Sequence, residues 1–395
     1  MSETGRTRRF LIVAGDADGN LGDRAILQAV CQELRSIEPG AHISAVGSRR
    51  SAGNADIHMI PRGPKGFTLL LATAARADVV ICGGGGLFQD DDSLVKMPYW
   101  AIRLLLLRLC CRHVVGYSLG VGPLSAPTSR WSASLAFRLM QLVTVRDPIA
   151  QNTAQALTEK PVEVVPDPAS VLRPVPAESA TTWLEEQGVP LDGRPLIGIA
   201  VRRWFPPKPR LIPNKLAARF RSKSSATDEL SEAMCSLMAN VLDQLVANRG
   251  AYVLFMPTYN VPHEGDDLLC RNILEKMESA SGKILHIDDA SLYMGVCSRL
   301  LILIGGRMHP TLLANAVGTP VVGLAYNPKF HGAFSLQGIG QHVMDISAFV
   351  TQGLKDELLT LVETSIERTS ELDSQVESTR TQLRLLNERI LELVA

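Results

Sequence analysis

The sequence has few of the features that define disulfide-linked, metal-binding or nucleic-acid-binding proteins. Its seven cysteines are an odd number and lack C-x-x-C spacing, which predicts neither a disulfide framework nor a zinc module. Forty Lys and Arg balance forty Asp and Glu, whereas a nucleic-acid-binding protein normally has a large basic excess. We therefore expect a reducing compartment, no nucleic-acid partner, and only local binding sites for anions.

The sequence also lacks an apolar run long enough to cross a bilayer. Residues 10–14 are too few for a signal-peptide core. The most apolar stretch, residues 97–115, contains three arginines and a histidine, whereas a membrane span needs about 20 residues nearly free of charge. Such a segment either lies on a membrane surface or forms a buried helix whose arginines reach solvent. We expect a cytoplasmic protein, with association at the inner face of the membrane as an open alternative.

What the sequence does have is a regular alternation of β-branched runs and helical stretches, which predicts parallel sheets covered on both faces. Because 395 residues exceed a single ordinary core, we predict two doubly wound α/β lobes. We assign residues 1–175 to the first lobe, 176–345 to the second and 346–395 to a helical tail. The predicted strands cover residues 10–14, 43–46, 78–82, 113–117, 143–145 and 162–165, then 196–201, 252–255, 284–287, 300–304 and 320–325.

A glycine-rich loop follows the first predicted strand. Gly15, Gly19 and Gly22 have the spacing G-x3-G-x2-G, which fits neither the dinucleotide fingerprint nor the P-loop. Asp23 is a suitable N-cap for the helix that we predict from residue 24. Because the loop opens at the carboxyl edge of the sheet, Asn20 and Asp23 either face a ligand there or belong to a capped tight turn.

Four consecutive glycines, residues 83–86, follow the third predicted strand. Each costs on the order of 0.5 to 1 kcal/mol relative to Ala, so their backbone must approach something closely, either a substrate or the other lobe. Gln89 and Asp90 come next, and their side chains either hold sugar hydroxyls or form a solvated turn. Their place at a strand end predicts a polar ligand site.

The strongest functional signal lies in the second lobe. A buried strand ends in two glycines, and Arg307 and His309 then precede a helix that has Pro310 in its first turn. The helix N-terminus favours a phosphate or a carboxylate, Arg307 can bind either in bidentate fashion, and His309 can donate a proton. Lys329 follows the next strand and adds a second cation at the same edge.

Basic residues also cluster after the first strand of this lobe. Residues 202–223 contain eight Lys or Arg and no acidic residue. In a chain without net charge, this asymmetry indicates a segment that collects anions. We interpret Arg202 and Arg203 as part of the anion site and the outer lysines as a solvated surface.

Taken together, these residues resemble the polysaccharide pyruvyl transferase family over about residues 10–340. The resemblance implies two Rossmann-like lobes in a GT-B-like arrangement, with phosphoenolpyruvate as donor and a cyclic pyruvate ketal on a sugar as product. Pro310 departs from the family pattern, which usually has a small residue such as Ala there. The resemblance rests on residues 20–26, 83–86, Arg146-Asp147, Asp167-Pro168, Arg202, residues 306–309 and residues 326–329.

The resemblance implies donor contacts by Arg202, Arg307, the Met308 backbone and His309, and the chemistry of such a donor suggests the other roles. We predict His309 as the acid that protonates the donor's methylene carbon, Arg307 as its cationic partner, and Asp23 or Asp90 as the base. No metal or cofactor is needed, since arginines and amides supply the positive charge. The expected donor contacts are Arg202, Arg203, Arg307, Met308 through its backbone, His309 and Lys329. The expected acceptor contacts are Asn20, Asp23, Gly84, Gly85, Gly86, Gln89 and Asp90.

Two other functions stay open at this point. A glycosyltransferase with the same lobes would use a similar cationic site for a nucleotide-sugar donor, and competition by a nucleoside diphosphate would reveal it. A non-catalytic sugar-binding protein would bind glycans without turnover. The acceptor is a sugar, an oligosaccharide or a lipid-linked glycan, and the chain either stays a monomer or forms an oligomer.

Overall fold

The computed structural model describes residues 7–48, 56–91, 93–204, 225–259, 265–367 and 372–394. These residues contain thirteen strands and fourteen α-helices in two α/β lobes. All the strands that pair within each sheet run parallel, as expected for strands linked by crossover helices. The predicted fold class, two doubly wound lobes in a GT-B-like arrangement, is confirmed.

The N-terminal lobe has a seven-stranded sheet in the order β3-β2-β1-β4-β5-β6-β7. The strand order reverses between β1 and β4, and such a reversal opens a crevice at the carboxyl ends of the strands. The strands are β1 (Arg9–Val13), β2 (His42–Val46), β3 (His58–Ile60), β4 (Val79–Gly83), β5 (Val114–Leu119), β6 (Leu142–Val145) and β7 (Val162–Val164). The helices are α1 (Leu21–Ile37), α2 (Pro64–Ala74), α3 (Lys96–Cys110), α4 (Pro127–Leu139) and α5 (Pro148–Gln155).

The C-terminal lobe has a six-stranded sheet in the order β10-β9-β8-β11-β12-β13, with its reversal between β8 and β11. The strands are β8 (Leu196–Ala200), β9 (Tyr252–Phe255), β10 (Gly282–Ile284), β11 (Ile302–Gly305), β12 (Val321–Ala325) and β13 (Val343–Asp345). The helices are α6 (Ala177–Glu186), α7 (Ser225–Arg249), α8 (Asp266–Lys276), α9 (Ala290–Cys297), α10 (Met308–Asn315) and α11 (Pro328–Leu336).

The C-terminal tail forms α12 (Ile346–Gln352), α13 (Lys355–Ile366) and α14 (Leu372–Glu392), and it is shared between the lobes. Leu358 of α13 is buried in the core of the C-terminal lobe. Leu386 of α14 is buried in a hydrophobic cluster that also contains α1 of the N-terminal lobe. Arg389 of α14 forms an ion pair with Glu163 of β7 at 2.6 Å. The chain thus crosses back to the lobe where it began.

Several local predictions were wrong in detail. Helix α1 begins at Leu21, and its N-cap is Asn20, whose Oδ1 accepts from the Gly22 amide at 2.8 Å; Asp23 is not the cap. His309 lies inside the first turn of α10 and does not precede it. Strands β3 and β13 were missed because three residues at a sheet edge are too few for a periodic pattern. No helix in the described parts of the chain combines the length and low charge needed to cross a membrane.

Two adjacent leucines test the packing of α14. Leu386 is 2% exposed and Leu385 is 55% exposed. We expect Leu386→Ala to lower the free energy of unfolding by about 2 to 5 kcal/mol, since it removes buried methyl groups and leaves a cavity. Leu385→Ala, the matched control, should change it by less than about 0.5 kcal/mol. Denaturant unfolding measures both, and equal effects would contradict the described packing.

Candidate functional site

The two lobes meet where loops at the carboxyl ends of their sheets touch. The Leu21 amide donates to the Thr258 carbonyl at 3.2 Å, and Asn20 forms an antiparallel bridge with Tyr259. Arg24, which is 3% exposed, donates hydrogen bonds to the carbonyls of Ala17 and Asp288 and so ties α1 to the opposite lobe. These contacts fix the width of the cleft between the sheets.

The central interaction in this cleft joins Asp167 of the N-terminal lobe to His309 of the C-terminal lobe. Asp167 Oδ2 lies 3.3 Å from His309 Nε2, as an ion-pair contact rather than a well-aligned hydrogen bond. The same oxygen accepts from Arg146 Nη1 at 3.2 Å. Burial acts to raise the pKa of Asp167, but His309 and Arg146 outweigh it and lower the pKa to about 2. Asp167 is therefore an anion at neutral pH, and its carboxylate faces the imidazole of His309.

A strained serine holds the loop that carries Asp167. Ser118 has φ of 47°, which a non-glycine residue rarely adopts. Its Oγ donates to the carbonyl of Val165 at 2.9 Å, and its amide donates to Thr144 Oγ1 at 2.8 Å. Asp167 Oδ1 in turn accepts from the Ala169 amide at 3.1 Å. Backbone strain of this kind persists only where surrounding contacts hold the residue in place. At Ser118 the same contacts hold the loop that positions the Asp167 carboxylate.

Asp23 lies in the first turn of α1, surrounded by glycines. Its Oδ2 accepts from the Asp16 amide at 2.7 Å, and a Cβ added at Gly15 would lie 2.5 Å from that oxygen. A Cβ at Gly85 would overlap the other carboxylate oxygen. Burial raises the pKa of Asp23, while the charge of His309 opposes the rise. A carboxyl with a raised pKa beside a histidine is suited to accept a proton.

Glycine at position 22 lets His309 approach α1. A Cβ there would overlap the Cγ and Nδ1 atoms of the His309 ring. The N-terminus of α1 and the imidazole therefore come together only because position 22 lacks a side chain. Gly22 thus links the glycine loop found in the sequence to the histidine of the opposite lobe.

Arg307 is held by a buried carboxylate that the sequence analysis missed. Its Nε and Nη2 donate to Asp266 Oδ2 and Oδ1 at 2.6 and 2.7 Å, and Asp266 is fully buried. Burial raises the pKa of Asp266, and Arg307 opposes this shift. The guanidinium also lies over the Tyr259 ring, 4.9 Å from its centroid. Asp266 lies 41 positions before Arg307, and no local motif connects the two.

The other expected donor residues either lie close to the Arg307–Asp266 pair or have side chains outside the described part of the structure. Arg202 follows β8, and its guanidinium carbon lies 4.1 Å from the centroid of the Tyr326 ring. A Cβ at Gly306, the residue before Arg307, would lie 3.2 Å from the Arg202 amide nitrogen. Its Nε donates to the Arg203 carbonyl at 3.4 Å. Met308 is buried at the start of α10. The side chain of Lys329 and residues 205–223 of the basic segment lie outside the described part of the structure.

Several expected acceptor contacts have local partners. Asp90 is 1% exposed, and its carboxylate accepts from the amides of Ser125 and Ala126. Asn20 caps α1, as described above. Gly84 and Gly85 have φ of 77°, and a Cβ at Gly84 would overlap Ile26 of α1 in the same lobe, so packing explains this close approach. A Cβ at Gly86 would lie 2.7 Å from Gln89 Oε1. Acceptor contact by these residues stays a prediction.

Within the described residues, no group of three or more His, Cys, Asp or Glu side chains is arranged to hold a metal ion. The positive charge near the cleft comes from Arg146, Arg202 and Arg307. These guanidinium groups suit carboxylate and phosphate oxygens.

The Asp167–His309 pair should make stability pH-dependent. Because the folded-state pKa of Asp167, about 2, lies below the ordinary 3.8, its contribution is present above pH 3.8 and is lost as the pH falls towards 2. We expect wild-type unfolding free energy to fall by about 2 kcal/mol more than that of Asp167→Asn between about pH 5 and pH 2. Denaturant unfolding at each pH measures this difference.

An exposed aspartate–histidine pair provides the control for this measurement. Asp345 and His331 lie 2.9 Å apart but are 62% and 41% exposed. Solvent screens such a pair, so Asp345→Asn should follow the wild-type pH dependence. If Asp167→Asn also followed it, the ion pair across the cleft would not stabilise the folded state.

Comparison with solved structures supports the fold. The UDP-GlcNAc 2-epimerase from Methanocaldococcus jannaschii superimposes with a TM-score of 0.62 at 11% identity, covering 98% of this chain and 99% of that chain. The enzyme of the same name from Neisseria meningitidis, bound to UDP-GlcNAc, gives 0.56 at 12% identity, covering 97% and 100%. The Rickettsia bellii enzyme gives 0.55 at 11%, covering 98% and 96%. At these identities the likeness shows the two-lobe GT-B-type fold alone.

Sequence comparison gives information beyond the fold. A search of curated proteins gave no match. The family model described as polysaccharide pyruvyl transferase matches residues 20–328, which include Asp23, Asp167, Asp266, Arg307 and His309. Since this match spans most of the chain, from the N-cap of α1 to the start of α11, the chain belongs to the polysaccharide pyruvyl transferase family.

Proposed function

We propose that the chain transfers the enolpyruvyl group of phosphoenolpyruvate to a sugar and closes a cyclic pyruvate ketal with release of phosphate. The observation that carries this proposal is the position of His309, which lies between the buried anion Asp167 and the first turn of α1 that carries Asp23. An acid and a base from opposite lobes are what the addition of a hydroxyl across an enol double bond requires.

The donor side is matched to phosphoenolpyruvate by charge. The donor carries one carboxylate and a phosphate of about −1.5 to −2 at neutral pH. Arg202 and Arg307 follow adjacent strands of the C-terminal sheet, and the pair with Asp266 fixes the orientation of the Arg307 guanidinium. We propose that a donor oxygen contacts this oriented guanidinium. Donor contacts by Arg203, Lys329 and the Met308 backbone belong to the same proposal.

The reaction then proceeds in two additions at C2 of the donor. Protonated His309 gives its proton to C3, which becomes a methyl group, and C2 becomes electrophilic. A sugar hydroxyl attacks C2 and passes its proton to Asp23. The bond between C2 and the phosphate oxygen breaks, phosphate leaves, and a second hydroxyl of the same sugar attacks C2. The two sugar hydroxyls lose two protons in total. One of them replaces the proton that His309 gave to C3, and the other goes to phosphate or solvent.

The acceptor side is assigned to Asp23 in preference to Asp90. Asp23 lies in the first turn of α1, next to Gly22, which the His309 ring contacts. Asp90 is already used to hold the turn before α4. We propose the sugar of a polysaccharide or glycan precursor as acceptor, with neither metal nor cofactor in the reaction, since arginine side chains supply the positive charge.

Ligand-dependent thermal unfolding tests the donor. Phosphoenolpyruvate at about 100 times its dissociation constant should add about 2.7 kcal/mol, a rise of about 3 °C in the midpoint for a chain of this length. Arg202→Ala should lose this rise, because it removes a guanidinium beside Arg307. The matched control is Arg299→Ala, which removes an exposed arginine after α9. Arg307→Ala is less suitable, since it would leave Asp266 buried without its partner.

The same measurement distinguishes the two donor classes. A rise with phosphoenolpyruvate that persists in Arg299→Ala and disappears in Arg202→Ala supports the proposal. A rise with UDP or another nucleoside diphosphate, and none with phosphoenolpyruvate, would contradict it and indicate a glycosyltransferase. Binding of glycans without any donor effect would indicate a sugar-binding protein.

A further inference from the structure

Helix α3 covers one face of the N-terminal sheet, yet its solvent side is apolar. Val95, Tyr99, Ile102 and Leu109 are 54%, 53%, 61% and 76% exposed. Their spacing of four, three and seven residues places them on one stripe of the helix. The stripe on the opposite side, which includes Leu104, is buried in the core. A surface helix normally carries polar residues on its solvent side, so this stripe needs an explanation.

The neighbouring helices extend the apolar stripe into a wider surface. Helices α2 and α4 pack on either side of α3. Phe67 of α2 is 42% exposed, and Trp131 of α4 is 68% exposed. We call this surface, formed by Phe67, Val95, Tyr99, Ile102, Leu109 and Trp131, the apolar face. Exposed aromatic and aliphatic side chains gathered on three adjacent helices mark a surface that binds something.

The charge around the apolar face has one sign. No Asp or Glu occurs in residues 57–77 or in residues 93–146, although the whole chain has no net charge. The Lys and Arg side chains exposed on or next to these helices are Lys65, Arg76, Arg112, Arg130 and Arg138. Arg103 and Arg108, half-buried on α3, add to them. The surface is therefore both apolar and basic.

We propose that the apolar face binds the surface of a bilayer that contains anionic lipids. Peripheral helices bind membranes by burying an apolar stripe at the headgroup boundary while flanking Lys and Arg contact anionic headgroups. Tyr and Trp, such as Tyr99 and Trp131, are the side chains favoured at that depth.

The position of the apolar face relative to the site gives membrane binding a role in bringing the acceptor to the cleft. The loop that leads into α3 packs against Asp23, since a Cβ at Gly85 would overlap Asp23 Oδ1, so the N-terminal end of α3 lies on the acceptor side of the cleft. A bilayer on α3 would therefore lie next to that side. Delivery of a lipid-linked glycan to Asp23 follows from this geometry and rests on the proposed function, whereas membrane binding does not.

Co-sedimentation of the full chain with vesicles tests the proposal. We expect binding to vesicles that contain phosphatidylglycerol and much weaker binding to phosphatidylcholine alone. The double substitution Ile102→Gln with Leu109→Gln should weaken binding by about tenfold or more, since both side chains leave the membrane boundary. The double substitution Arg112→Gln with Arg138→Gln should weaken it by about fivefold for each arginine, and added salt should reduce that difference.

Matched substitutions elsewhere on the surface provide the controls. Leu385→Gln removes an exposed leucine from α14, and Arg299→Gln removes an exposed arginine from the C-terminal lobe. Both should bind vesicles like the wild type. Because the substituted side chains are exposed, all variants should keep their unfolding midpoints and their response to phosphoenolpyruvate. The response to phosphoenolpyruvate therefore tests the donor proposal, and vesicle binding tests the membrane proposal, independently of each other.

Three results would overturn the proposal. The first is equal vesicle binding by the wild type and the Ile102→Gln, Leu109→Gln variant. The second is no binding of the wild type to either vesicle. The third is a wild-type dimer that does not bind vesicles and that the same double substitution converts to a monomer, since the apolar face would then bind a second copy of the chain.

Discussion

The ion pair between Asp167 and His309 depends on both lobes at once. Its separation of 3.3 Å exists only while the cleft has its present width, which Arg24 and the contacts of residues 20 and 21 maintain. On one side, Ser118 and Arg146 hold Asp167; on the other, the first turn of α10 carries His309 and Gly22 makes room for its ring. A charge pair formed across two lobes therefore makes the geometry of the site depend on how the lobes are packed together.

Burial of charge explains the rest of the site. Asp167 and Asp266 are both buried, and each is held as part of a pair with a cation: His309 and Arg146 for the first, Arg307 for the second. Isolated buried carboxylates would be unstable, so each acid fixes the orientation of the cation that faces the cleft. A guanidinium that binds a carboxylate in bidentate fashion has its plane fixed by two hydrogen bonds, which the single ammonium nitrogen of a lysine cannot provide.

The sequence predicted what depends on local pattern and missed what depends on distant contacts. Alternating β-branched runs predicted both sheets, because crossover strands buried on both faces have a distinct composition. Arg307 and His309 were found because a strand, two glycines and a helix with proline in its first turn form a local motif. Asp266 was missed, and Asp167 contributed to the family resemblance but was given no role in the site, since their partners lie 41 positions away and in the other lobe. The four glycines predicted close approach correctly, but α1 of the same lobe is what approaches Gly84 and Gly85.

The most direct test is turnover of phosphoenolpyruvate in D2O with a panel of glycans, followed as phosphate release and as deuterium in the product methyl group. The account predicts one deuterium in each ketal formed by the wild type. It also predicts that His309→Asn binds the donor but releases no phosphate, and that Asp167→Asn turns over more slowly than the exposed-pair variant Asp345→Asn. Wild-type turnover by His309→Asn would contradict the assignment of this histidine as the acid, and with it the central role of the pair between the lobes.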